Sequence, residues 1–106
     1  MIETPNLIYI KKLAAGSDTF EQKLIAIVKR EFPKEQNEFL ANYHSKTFIK
    51  AAENVHKLKH KIGMFGFENG YQIAINFEEE LKKNNPSLFD EFMLILESIE
   101  NFLKTI

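Results

Sequence analysis

The stretch FIKAAENVHKLKHKIGMFGF, Phe48 to Phe67, decides the fold. On a wheel of about 100° per residue, Phe48, Ala51, Val55, Leu58, Ile62 and Phe65 fall on one side, the spacing of a helix that buries one face. Ala52, His56, Lys59 and Gly63 form a second, narrower stripe along the border of the first. Glycine costs about 1 kcal/mol against alanine in a helix interior, so Gly63 needs a reason.

Outward from this helix the apolar residues keep recurring at threes and fours, and the chain reads as all-α. Just before it, Asn42 to Ser45 (NYHS) reads as a turn, with Ser45 capping a third helix from Lys46 to about Phe65. A second helix, capped by Ser17 or Asp18 with Glu21 in its first turn, carries Phe20, Leu24, Ile27 and Val28. Pro33 should kink or break it, because proline has no N–H and clashes with the preceding turn. Phe39 and Leu40 nevertheless continue the apolar face, so a bent helix to about Ala41 is expected. A short first helix over LIYIKKLAA, Leu7 to Ala15, ends at Gly16.

On the other side, Gly66 to Gly70 reads as a tight connection. YQIAINFEEELKK, residues 71–83, is then a fourth helix with Ile73, Ala74, Phe77 and Leu81 on one stripe. Asn85 and Pro86 supply the cap and first position of a last helix through Leu88, Phe89, Phe92, Met93, Leu96, Ile99 and Leu103. No linker or repeat divides the chain. Residues 1–106 are therefore expected to form one domain, an up-down antiparallel four-helix bundle with a short extra N-terminal helix. At helical spacing its ten phenylalanines read as core before they read as an aromatic cofactor box.

A chain of 106 residues can bury about two-thirds of the surface that it exposes unfolded. Its net charge of -1 gives no global reason to bind nucleic acid. The absence of cysteine excludes disulfides, thiolate zinc sites and cysteine nucleophiles, and fits a reducing compartment. The start, MIETPNLIYIKK, has no long apolar segment followed by a small-residue cleavage site. Nowhere do 18 apolar residues run together. A cytoplasmic protein without a membrane segment is expected.

The border stripe carries the chemistry. An ordinary imidazole is mostly neutral near pH 7 and is then a good nucleophile. Lys59, one turn from His56, offers a counter-charge to any phosphoryl group that the ring gains. Small neighbours lower the steric wall around it.

Together these residues resemble the histidine-containing phosphotransfer (HPt) domains of multistep phosphorelays. The signature of that family is roughly HxLKG, a glycine at +7 and an apolar-Gly pair at +9 and +10; here it reads His56, Leu58, Lys59, Gly63, Phe65 and Gly66. AAENVHKLK, FEEEL with Phe77 and Glu78 in place of the family's Leu-Glu, and LAAGSDTFEQKLIAIVKREFPKE extend the resemblance over nearly the whole chain.

The resemblance implies that His56 accepts a phosphoryl group from an aspartyl phosphate on one receiver domain and passes it to an aspartate on another. Lys59 would stabilise the phosphoryl charge, and Ala52, His60, Gly63 and Glu78 would lie where the partner closes over the ring. The partners implied are response-regulator receiver domains or a hybrid histidine kinase, met by a monomer. The protein would be a phosphoryl carrier with no kinase activity and no cofactor of its own, Mg²⁺ being supplied by the receiver. No Gly-rich phosphate loop is present.

One departure stands out. His60 occupies position +4, where the family usually has glycine. A side chain there would crowd a docking partner, hydrogen-bond the phosphoryl group or point into solvent. A pseudo-domain that binds a receiver or kinase without being phosphorylated is the alternative function.

Other classes have weaker footing. His56 and His60 at i, i+4, with Glu53 three residues before His56, match the Glu-x-x-His element of di-iron bundles, but the second element is missing and no metal site is expected. A helical adaptor without chemistry would share everything except the histidine stripe. Nucleic-acid binding would rest on HKLKHK alone, against the net charge. Lys57 and Lys61 read as a solvated outer face, and His44 as a loop residue.

Overall fold

The spacing that marks Phe48 to Phe65 as one buried face recurs in five α-helices of the computed structural model, which describes residues 3–106. They are α1 (Ile8–Ala14), α2 (Asp18–His44), α3 (Phe48–Met64), α4 (Glu68–Lys82) and α5 (Phe89–Leu103), and no strand occurs among the described residues. α3 packs against both α2 and α4, α5 packs mainly on α4, and α1 lies along α2. At 1.5 Å per residue the 27 residues of α2 span about 40 Å, which accounts for the 43 Å long dimension of the molecule. Among the described residues no helix is long and apolar enough to cross a membrane.

Ser17 caps α2, its Oγ accepting the Phe20 N–H at 3.1 Å. The helix then runs unbroken through Pro33. Lys29 and Pro33 are both exposed, so the Lys29 carbonyl that loses its donor faces water. Two expectations about the far end need correcting. Asn42 to His44 belong to α2, and Ser45 is its C-cap instead of the N-cap of α3, which begins at Phe48 after Thr47.

A Schellman motif makes this ending. The Thr47 N–H donates to the Asn42 carbonyl at 2.9 Å and the Lys46 N–H to that of Tyr43 at 3.0 Å, with Lys46 left-handed at φ 61°. The same motif closes α4, with Asn84 at φ 61° and the Asn85 N–H donating to Glu80 at 2.8 Å. α1 stops at a left-handed Ala15, with Gly16 following at φ 87°.

Gly66 ends α3 at φ 83°. A Cβ there would sit 2.5 Å from Asn6 Nδ2, so backbone and space both require glycine. α4 begins at Glu68, which puts Gly70 in its first turn and not in a connection. The early start has a distant cause: the Glu3 carboxylate accepts the N–H groups of Asn69 at 3.0 Å and Gly70 at 2.8 Å, satisfying two free donors of the helix end. α5 begins later than expected, at Phe89. Asn85 Oδ1 accepts the Ser87 N–H at 3.1 Å and so holds a turn, leaving Pro86 ahead of the helix and not at its first position.

Six of the ten phenylalanines are buried, and Phe48, Phe89 and Phe102 pack against them half-buried. Phe39 is the centre, its ring 5.3 to 6.2 Å from those of Tyr43, Phe77, Phe89 and Phe92. Burying one such ring contributes about 1.5–3 kcal/mol. Phe20 and Ile27, expected on the buried stripe of α2, are exposed. The longer stripe Ile25, Val28, Phe32 and Phe39 takes the core side, since one helix can bury only one face. Asn54 is the one buried polar residue among those described, and its Oδ1 accepts from Asn42 Nδ2 at 2.6 Å, joining α2 to α3.

Candidate functional site

The buried stripe of α3 fixes the direction of its border. Val55 and Leu58 point into the core, and the helix period then turns His56 outward and Lys59 toward α4. α4 answers with Glu78, whose neighbour Phe77 is buried and anchors it in place. The His56 side chain is 53% exposed, whereas those of Lys59 and Glu78 are each 12% exposed.

Glu78 is the hub. His56 Nδ1 lies 3.2 and 3.3 Å from its two carboxylate oxygens, Lys59 Nζ donates to Oε1 at 3.2 Å, and Lys82 Nζ pairs with Oε2 at 3.4 Å one turn along α4. Lys59 Nζ also comes within 3.3 Å of His56 Nδ1. One ring nitrogen cannot donate to a carboxylate and accept from an ammonium at once. Glu78 can only accept and already serves Lys59, so the tautomer that satisfies all three groups has Nδ1–H donating to Glu78. Nε2 then carries the free lone pair, and the contacts with Glu78 and Lys59 all use the other nitrogen. Burial pushes the Glu78 carboxyl up, but the hydrogen bonds from Lys59 and His56 outweigh burial and hold it below the usual carboxylate range.

The small residues of the stripe divide. Ala52 is buried and belongs to the core, so it is not part of an accessible rim as expected. Gly63 faces Tyr71 of α4: a Cβ there would stand 3.2 Å from Tyr71 Cδ2. The missing side chain therefore first makes room for Tyr71, over whose ring Lys59 Nζ lies at 5.9 Å from the centroid. Beyond that contact Gly63 and Tyr71 border a groove of about 560 Å³ that reaches Ile8 and Tyr9 of α1.

His60 is exposed, and its ring meets that of His56 edge to face, with centroids 5.2 Å apart. Lys61 departs from the expected solvated face. It turns to α2 and donates to Glu31 at 2.9 Å and Glu35 at 3.1 Å. Tyr71 and Lys82 were not singled out from the sequence, although Lys82 follows Glu78 by four residues and Tyr71 precedes it by seven, the spacing of one helix flank.

Among the described residues no group of three or more His, Asp or Glu side chains could hold a metal ion. Compared with protein-family models, with curated proteins and with solved structures, the chain finds no match.

Proposed function

We propose that the protein is a histidine phosphotransfer protein of the HPt type, a carrier that moves phosphoryl groups between receiver-domain aspartates in the cytoplasm. In this reading α2 to α5 form an up-down antiparallel four-helix bundle, α1 is an addition to it, and α3 presents the phosphoacceptor His56. One observation carries the proposal. A single carboxylate, Glu78, is shared by three nitrogen groups, those of His56, Lys59 and Lys82, and the exposed imidazole of His56 uses Nδ1 for all its contacts with Glu78 and Lys59. An additional anion at the other ring nitrogen, Nε2, meets a local surplus of donors.

The transfer follows from the tautomer. The Nε2 lone pair attacks phosphorus of the aspartyl phosphate, the N–P bond forms as the P–O bond breaks, and the aspartate carboxylate leaves with the electron pair. The proton stays on Nδ1, where Glu78 balances the positive charge that the phosphorylated ring acquires. In the reverse direction the same Nδ1–H makes the imidazole a better leaving group. Lys59 swings from Glu78 to the phosphoryl oxygens. The receiver brings the Mg²⁺ and the acidic residues that hold it, and this chain brings the ring, its orientation and the counter-charges.

The test is direct. A receiver domain carrying ³²P-phosphoaspartate is mixed with the protein in Mg²⁺, and the label is expected on the protein in an acid-labile, base-stable linkage. No transfer from any receiver encoded in the same genome would overturn the proposal.

A further inference from the structure

His60 stands one helical turn beyond His56, and the planes of the two rings meet at 85°. Both rings are exposed. Of the other cations near His56, two start on the Nδ1 side of its ring and a third is held by another helix. Lys59, which swings to the phosphoryl oxygens on transfer, starts at Glu78 on the Nδ1 side together with Lys82, which also reaches Glu79 at 4.0 Å, and Lys61 is clamped between Glu31 and Glu35 of α2. Lys57 lies about 100° around the helix from His56, whereas His60 is about 40° away. A phosphoryl group on Nε2 emerges opposite Glu78, and His60, whose ring packs edge to face on that of His56 and makes no hydrogen bond among the described residues, is a neighbouring donor additional to Lys59. Whatever its protonation state, an imidazole keeps at least one N–H.

We propose that His60 is a phosphoryl-contacting residue, donating a ring N–H to an oxygen of the phosphoryl group on His56 Nε2 and so prolonging the phosphorylated state. The proposal rests on the phosphocarrier reading above. No bond to His60 is made or broken, and a glycine at this position has no side chain with which to make the contact.

Phosphoramidate provides a test that needs no receiver. Its P–N bond breaks with loss of ammonia as the N–P bond to His56 forms, and the decay of the phosphohistidine is then followed by ³¹P NMR. Wild type is compared with His60→Gly, His60→Phe, which keeps a ring but no N–H, and His60→Gln, which keeps a donor; circular dichroism checks that each is folded. Decay about three- to tenfold faster is expected for the Gly and Phe variants, with a shifted ³¹P resonance, and near wild-type behaviour for Gln. Equal decay in all four proteins overturns the proposal. So does rescue by Phe, which would make the ring a mere shield, or a signal that survives His56→Gln and disappears in His60→Gly. Failure of every receiver to label the protein would strike the phosphorelay reading and leave this measurement intact.

Discussion

Lys59 and Lys61 stand two residues apart on α3 with side chains equally hidden, 12% and 13% exposed, and in opposite surroundings. Lys61 turns to α2, where Glu31 and Glu35 share one cation. Lys59 turns to α4, where one carboxylate is shared by Lys59, Lys82 and His56. The first cluster is closed. Burial pushes the Lys61 ammonium down, but the hydrogen bonds that it donates to Glu31 and Glu35 outweigh burial and raise it, and the Lys61 hydrogen bond and charge hold Glu31 below the usual carboxylate range. The second is open, with three nitrogen groups on the one Glu78 carboxylate and an exposed imidazole among them. A structural ion pair and a candidate site on one helix thus differ in stoichiometry more than in residue type or burial.

The largest effect separates the two flanks outright. His56→Gln should abolish labelling by a phosphorylated receiver, whereas Lys61→Met should leave it intact in the same assay; loss in both would erase the distinction. Next, Glu78→Gln should slow single-turnover transfer about tenfold, since a charge-assisted hydrogen bond to the ring is weakened. Glu35→Gln should leave the rate unchanged when the two are measured side by side in rapid-quench experiments.

Stability should show the reverse order. Lys61→Met leaves two carboxylates facing each other and is expected to cost about 1 kcal/mol in urea unfolding, a part-exposed pair being worth no more. The smallest effects lie in pH dependence. The folded-state value of Lys61 is raised, so its contribution is present below the ordinary lysine range and is lost as pH rises through that higher value. Lys61→Met should therefore flatten the alkaline limb of a stability-pH curve. Glu78 is depressed, so its contribution is present above the ordinary carboxylate range and is lost as pH falls through the lower folded value. Glu78→Gln should remove part of the acid limb, by a few tenths of a kcal/mol.

The two lysines also mark how far sequence carries. The buried stripe of α3 was legible because a helix buries whatever recurs at its own period, and the outward turn of His56 follows from that stripe. Which lysine meets one carboxylate and which meets two was not, because Glu31, Glu35 and Glu78 lie on other helices and no local spacing encodes the meeting. The end of α2 was hidden for a different reason: Lys46 holds the left-handed position that glycine or asparagine usually signals, as Asn84 does after α4. Ala52 and Gly63 were visible as small residues beside a histidine. Whether smallness serves the core, a neighbouring tyrosine or an incoming partner depends on packing, and Ala52 and Gly63 received different answers.

The Glu3 cap of α4 gives the molecule a long-range seam. Two amide hydrogens at the start of that helix are held by a side chain 66 and 67 positions earlier in the chain, so the cap on the first turn of α4 is complete only with the N-terminal segment docked. α4 carries Glu78 and Tyr71, and its opening turn is thereby tied to a segment that contributes nothing to the chemistry. Slow deuterium uptake at Asn69 and Gly70 is the sign of a docked N-terminal segment, and fast uptake there the sign of one that has let go.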